Sequence, residues 1–252
     1  MKKTMIYICI VAIIALFLSD GDKKHEKLAH WGYAGEEAPA NWANLDTRYN
    51  MCKDGKHQSP INLTSDNVID ANLGDITFYD DSFASTFENN GHTLKVNFKS
   101  GNMIEYGSKE YSLLQMHFHT PSENQIDGKS FPMEAHLVHK DANGNLLVIA
   151  VMFEQSDESN VILNKLIKKL PSKVGDKREL ESDIYGYDIL PEDREFYSFD
   201  GSLTTPPCSE GVKWIVLKNP VGISDSQLED FKNIMQENNR PIQEKNNRYI
   251  LE

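Results

Sequence analysis

Three histidines carry the clearest chemistry in this sequence. The segment Gln115-Met-His-Phe-His119 is followed, 17 residues after its last histidine, by Glu134-Ala-His136. On a β-strand successive side chains face opposite ways, so His117 and His119 share a face with Gln115 while Met116 and Phe118 point to the other. A loop over 124–128 returns the chain and brings His136 in on the next strand. Three neutral imidazoles from adjacent strands supply three corners of a tetrahedral zinc site, one Zn2+ per chain, and leave the fourth for water. Zinc in such a setting turns water into a hydroxide nucleophile near neutral pH. A metal-bound imidazole normally donates its second ring N–H to an acceptor that fixes its direction. Gln115 and Glu134, each two residues before a ligand and on its face, are the candidates. His139 is an odd step from His136, points away from it, and reads as a packed or surface histidine.

These residues need strands to hold them, and the surrounding sequence supplies strands. Apolar or alternating runs at 76–79, 94–98, 111–118, 133–138, 146–153 and 212–217 lie between glycine, asparagine and aspartate punctuation, the mark of a β-rich fold. Asn90-Gly91 and Asn143-Gly144 sit between such runs, as tight hairpin turns do. Helices are few. One is expected from Ser224, where Ser224 and Gln227 form a capping box, Ile223 and Leu228 a hydrophobic staple, and Leu228, Phe231, Ile234 and Met235 one apolar face. A second is expected over 160–170, ending at Pro171. The 252 residues, 39% hydrophobic and 25% charged, carry no repeat or low-complexity linker between 31 and 252, so 20–252 reads as one domain.

The first 19 residues differ. Lys2 and Lys3 precede an apolar run over 5–18, and the sequence turns polar from Ser19. That is the layout of a signal peptide, and the run is shorter than the roughly 20 residues a membrane span needs. No Ala-x-Ala precedes Asp20, which leaves an uncleaved anchor as the alternative. Cys9 lacks the small residues that precede a lipidated cysteine. Export places the protein in the periplasm or outside the cell, where the two remaining cysteines, Cys52 and Cys208, suit one disulfide; two free buried thiols are the alternative. Removing 1–19 takes away two lysines and no acids, so the formal charge moves from −12 to −14. Nucleic acid and anionic membranes demand clustered Lys and Arg, so neither is an expected partner, and no membrane contact is expected once the leader is gone.

Six blocks taken together, His30-Trp-Gly-Tyr33, Gln58-Ser-Pro-Ile-Asn62, Asn89-Asn-Gly-His92, Gln115-Met-His-Phe-His119, Glu134-Ala-His-Leu-Val-His139 and Ser202-Leu-Thr-Thr-Pro-Pro207, closely resemble the alpha-class carbonic anhydrases, bacterial secreted type. They follow that family's order from about Trp31 to Arg240. The resemblance implies a mostly β fold, α+β by content: one domain on a large, mainly antiparallel twisted sheet, with a few peripheral helices and a conical cleft leading to the zinc. It implies reversible hydration of carbon dioxide to bicarbonate and a proton by a zinc-held hydroxide; the bound water's pKa of about 7 is the value known for carbonic anhydrase itself.

The resemblance also assigns roles. His117, His119 and His136 become the metal ligands. Thr204 accepts from the hydroxide and donates to Glu123. Val138, Val148, Leu203 and Trp214 form the apolar wall that holds carbon dioxide, with Thr205 near bicarbonate; their pattern alone equally permits plain core packing. His92 becomes the proton shuttle, and Cys52 and Cys208 match the disulfide of secreted bacterial members. Three positions depart from the usual pattern: Met116, Asn124 after the glutamate, and Lys95, a cation beside the proton path. Two other functions remain open here: a binding domain without catalysis, and a zinc-hydroxide esterase as a side activity. No Gly-x-Ser-x-Gly elbow or His-Glu-x-x-His helix is present. A homodimer is a modest expectation from the same resemblance.

Overall fold

A computed structural model describes residues 28–180 and 184–252; the expected leader at 1–19, with Cys9, lies outside the described residues. Among these residues one 13-stranded sheet dominates. Its central strands are β1 (Ala84–Asn89), β2 (Leu94–Phe98), β3 (Lys109–His119), β4 (Met133–Lys140), β5 (Leu146–Gln155), β6 (Phe196–Ser202) and β7 (Glu210–Leu217). They lie in the spatial order β1-β2-β3-β4-β5-β7-β6. All six strand runs expected from the sequence fall within or overlap observed strands.

Most pairings are antiparallel, as expected, but β5 and β7 run parallel at the sheet's centre. Both are nearly continuous apolar runs, the pattern of strands covered on both faces. Asn90-Gly91 turns β1 into β2, with Gly91 at φ +89° and the Asn90 side chain accepting from His92 N at 2.9 Å. A β-carbon would strain that backbone, which is why glycine stands there. Asn143-Gly144 likewise joins β4 to β5.

Alternation sorts the side chains onto two faces. Met116, Phe118, Ala135, Leu137, Ile149, Val151, Ile215 and Leu217 join one buried core, to which Leu163, Leu228 and Phe231 belong. These last come from helices α1 (Val161–Ile167) and α2 (Asp225–Met235). The opposite face holds Val148, Ala150, Met152, Phe199, Trp214 and Val216, packed with Ile61 and Leu63.

The Ser224–Gln227 capping box is present, and Ile223 and Leu228 are both buried in the helix-side core. The first helix is shorter than the expected 160–170. Asn160 caps it by accepting from Ile162 N and Leu163 N, and regular helix stops at Ile167. Beyond it, Lys169 and Leu170 donate three residues back, to Leu166 and Ile167, so the chain tightens before reaching Pro171. Short helical turns over 35–54 escape a sequence reading altogether. They are three or four residues each, and what fixes them is tertiary: the Trp42 indole N–H donates to Gly32 O and Glu37 O, both at 2.9 Å.

Candidate active site

Strand register builds the site row by row. Lys95, His117, His136, Ala150 and Val216 lie side by side across β2, β3, β4, β5 and β7. One pleat along the same face runs Gln115, Val138, Val148 and Trp214; one pleat the other way, His119 stands opposite Glu134. The three histidines therefore converge by pairing alone, and each offers a nitrogen within 4.8 Å of the others. Ala150 beside His136 leaves room for the imidazole. His119 and His136 are buried and His117 only partly, so the cluster opens on the His117 side.

Hydrogen bonds fix which nitrogen each ring presents. His117 Nδ1 lies 2.9 Å from Gln115 Oε1, and His119 Nδ1 lies 2.8 Å from the Asn238 carbonyl. His136 uses the other nitrogen, with Nε2 2.8 Å from Glu134 Oε1. A carbonyl or carboxylate can only accept, so each contacting nitrogen carries the proton. The lone pairs then sit on His117 Nε2, His119 Nε2 and His136 Nδ1. His119 Nε2 is buried with no protein partner. Burial, reinforced by the neighbouring histidines and Lys95, holds His117 well below the ordinary imidazole range; burial does the same to His136 and lowers His119. All three are thus neutral, the form that binds metal.

Glu134 is completely buried and fully occupied. Its Oε1 also accepts from Asn124 Nδ2 at 2.7 Å, and its Oε2 from the backbone N–H of Glu123 and Asn124 at 2.7 and 2.9 Å. Asn124, one of the departures noted in the sequence, thus braces the acceptor of a candidate ligand, His136. Glu123 is buried too. Desolvation pushes its carboxyl well above the usual range, opposed by hydrogen bonds from the Thr204 hydroxyl and from Arg240 N, the latter at 2.8 Å. Its Oε2 has no hydrogen-bond partner and lies 3.5 Å from His119 Nε2 and 3.9 Å from His136 Nδ1. Two unpartnered buried polar atoms facing the same point, with a donor set of three neutral imidazoles, fit a zinc ion.

Val148 and Trp214 are buried, with Val138 and Leu203 packed against them. The His136 and Trp214 rings meet edge-on at 4.9 Å. Val138, Val148 and Trp214 therefore form one apolar row beside the histidines, and Leu203, from the following turn, packs against the same cluster. Thr204 and Thr205 sit in the turn 203–209, closed by Leu203 N donating to Ser209 O and Cys208 N to Thr205 O, each at 2.9 Å. The Cys52–Cys208 disulfide ties this turn to the chain 156 residues earlier. His92 is partly buried and stacks on Trp31, ring centres 3.8 Å apart and planes 7° from parallel. Burial first, and then His30, lowers its pKa.

A model for the eukaryotic-type carbonic anhydrase family matches residues 37–252. The chain belongs to the alpha carbonic anhydrases. It is 42% identical over 223 residues to carbonic anhydrase from Pectobacterium atrosepticum, covering 88% of this chain and 90% of that protein. Against the carbonic anhydrase of Neisseria gonorrhoeae the identity is 42% over 230 residues, covering 90% of each. The structure of the alpha-carbonic anhydrase from Thermovibrio ammonificans in complex with the inhibitor sulfanilamide superposes with a TM-score of 0.87 at 45% identity, over 89% of this chain and 99% of that one. The expected activity, carbon dioxide hydration by an alpha carbonic anhydrase, agrees with every one of these likenesses. The Lys95 cation is paired, its Nζ 2.6 Å from Glu88 Oε1.

Several residues of this carbonic anhydrase site were invisible in the sequence. Asn238 gives its carbonyl to His119, and its Nδ2 donates to the carbonyls of His92 and Phe118 at 3.1 and 2.9 Å. The proposed shuttle and a proposed ligand are therefore joined through one residue. Arg240 is a buried cation whose guanidinium donates to Gln58 Oε1, Ser59 O and Cys52 O at 2.8–2.9 Å. That explains the Gln58-Ser59 block: it holds the arginine whose backbone holds Glu123. Spacing carries no signal for Asn238 or Arg240, since each acts from more than 100 residues away. His139 is the packed alternative of the two expected, buried with its ring parallel to Tyr187.

Proposed function

We propose that this carbonic anhydrase holds one zinc ion on His117 Nε2, His119 Nε2 and His136 Nδ1, and that the roles of its site residues follow from that. The ion's Lewis acidity brings water's ionisation into the neutral range and supplies the nucleophile for carbon dioxide. Thr204, its hydroxyl proton given to Glu123, keeps its oxygen lone pairs for the attacking oxygen and so aims that oxygen at carbon. Arg240 N–H keeps Glu123 an acceptor. Val138, Val148, Leu203 and Trp214 give carbon dioxide a water-poor surface that offers it no hydrogen bond, and Thr205 receives the bicarbonate formed. Attack on carbon dioxide yields bicarbonate and leaves one proton to export, and His92 takes that proton toward solvent.

One observation carries this reading: three neutral imidazoles face one point, and the other N–H of each is already committed to a protein acceptor. Export to the periplasm completes the proposal, supported by the leader-like first 19 residues and by the Cys52–Cys208 bond. Among the described residues no helix is long and apolar enough to cross a membrane.

The test is stopped-flow carbon dioxide hydration with zinc content measured on the same sample. Fast hydration with about one zinc per chain, both lost in His117→Ala, is expected from a three-ligand site. A zinc-loaded wild type that does not hydrate carbon dioxide would refute the catalytic roles and favour a binding domain.

A further inference from the structure

The row that aligns the histidines continues past β3 to the edge of the sheet. His117 pairs with Lys95, Lys95 with Glu88, and Glu88 with Lys177 on the edge strand Lys177–Glu179. Residues directly opposite each other across a sheet share a face. The chain neighbours Val96 and Phe87 are buried in the helix-side core, so Lys95 and Glu88 lie on the face of His117.

The three outer side chains form one ionic cluster. Lys95 Nζ lies 2.6 Å from Glu88 Oε1, and Lys177 Nζ lies 4.0 Å from Glu88 Oε2. Two cations on one carboxylate leave the cluster one positive charge, in a chain whose formal charge is −12. Lys177 is 54% exposed at the sheet edge, whereas Lys95 and Glu88 are 27% and 21% exposed. The next row along these strands, Thr86, Asn97 and Gln115, brings no charge; Asn97 Nδ2 donates to Thr86 Oγ1 at 3.0 Å. The buried acids of the site, Glu123 and Glu134, stand toward His119 and His136. The cation stands toward His117, the side on which the cluster opens.

We propose that Lys95 determines the affinity of this site for small monovalent anions, with bicarbonate as the natural occupant, and that Glu88 and Lys177 set the strength of its field. The inference rests on the reading of the three histidines as a metal site. The reaction interconverts a neutral molecule and an anion, and the chain as a whole repels the anion. Lys95 reverses that sign locally, and because it is mostly sheltered its field is less screened than that of a surface lysine. Lys177 offsets Glu88, so the carboxylate that holds Lys95 does not cancel it. Carbon dioxide carries no charge and is indifferent to this row.

The test is an equilibrium titration of the full chain loaded with cobalt(II) in place of zinc, whose visible absorption reports ligand binding at the metal. Sodium bicarbonate and sodium thiocyanate are the anions, and imidazole is the neutral control. Lys95→Gln should weaken both anions about fivefold, the effect of one unit charge across a half-open cleft, and leave imidazole within about twofold of wild type. Lys177→Gln should weaken them about twofold, and Glu88→Gln should tighten them about threefold, a gain that a merely structural defect does not give. At about 1 M ionic strength set with sodium sulfate, where the Debye length is about 3 Å, these differences should shrink below about twofold. Wild-type anion affinity in Lys95→Gln would overturn the proposal while leaving the metal site intact. An equal loss for imidazole, or weaker anion binding in Glu88→Gln, would show a structural effect and overturn it as well. A loss for thiocyanate alone would overturn bicarbonate as the occupant. A wild-type chain that takes up no cobalt would overturn the three-histidine metal site, and the anion assignment with it.

Discussion

Replacing Glu134 by glutamine keeps the size of the side chain and turns one acceptor oxygen into an NH2 group. The carboxylate receives four donors: His136 Nε2 at 2.8 Å and Asn124 Nδ2 at 2.7 Å on Oε1, and the N–H groups of Glu123 and Asn124 at 2.7 and 2.9 Å on Oε2. An amide has one acceptor oxygen, so in either orientation two of these donors meet an N–H. Each stranded buried donor costs about 1–3 kcal/mol, or about 2–6 kcal/mol for the pair. The cheapest relief is for His136 to move its proton from Nε2 to Nδ1, where it satisfies the amide but covers the lone pair needed for metal. Zinc affinity should then fall by about 10–100-fold, equivalent to about 1.4–2.7 kcal/mol, the rest of the penalty appearing as lost stability. Competition against a chromophoric chelator measures the affinity, and thermal unfolding of the metal-free protein measures the remainder. Zinc affinity within twofold of wild type, with an unaltered melting midpoint, would refute the claim that Glu134 selects the ring nitrogen His136 presents.

Thr204→Ala should retain zinc and lower kcat/KM about 100-fold in stopped-flow hydration, since an oriented hydrogen bond at the reacting oxygen is lost. Cys52→Ser/Cys208→Ser frees a loop of sequence separation 156; urea unfolding should show up to about 5 kcal/mol of lost stability on the chain-entropy account. Burial holds His139 at about 4. The unfolded chain, near 6.5, therefore binds more protons in that interval, and the stability this group contributes is complete above pH 6.5 and lost as pH falls toward 4, by about 3 kcal/mol. Urea unfolding of His139→Gln at pH 7 and 4.5 should show a smaller acid loss than wild type.

The histidine cluster was legible because a period of two is a strong rule: once 115, 117 and 119 lie on one strand face, and 134 and 136 on the next, convergence needs only the right register. The apolar wall was half legible. Val138, Val148 and Trp214 look like core in sequence, and only the antiparallel β4–β5 and parallel β5–β7 pairings place them in one row. Glu123 and Thr204 were ordinary loop residues until a family resemblance singled them out, because loops carry no periodicity. Asn238 and Arg240 were hidden for a further reason: their contacts to His119 and Glu123 use backbone atoms, which every residue possesses. The helical turns over 35–54 depend on Trp42 docking rather than on local propensity, so no local pattern records them.

All the partners that aim the three imidazoles are protein atoms: a glutamine, a backbone carbonyl and a carboxylate itself clamped by three further N–H groups. Two of these histidines sit on one strand and the third on its neighbour, deep in a sheet with its own apolar core on either side. In the proposed site, metal would therefore be a guest of a finished molecule, unlike a zinc finger, whose folding waits for the ion. With zinc on the proposed ligands, chelation is therefore expected to leave a folded protein that can be reloaded.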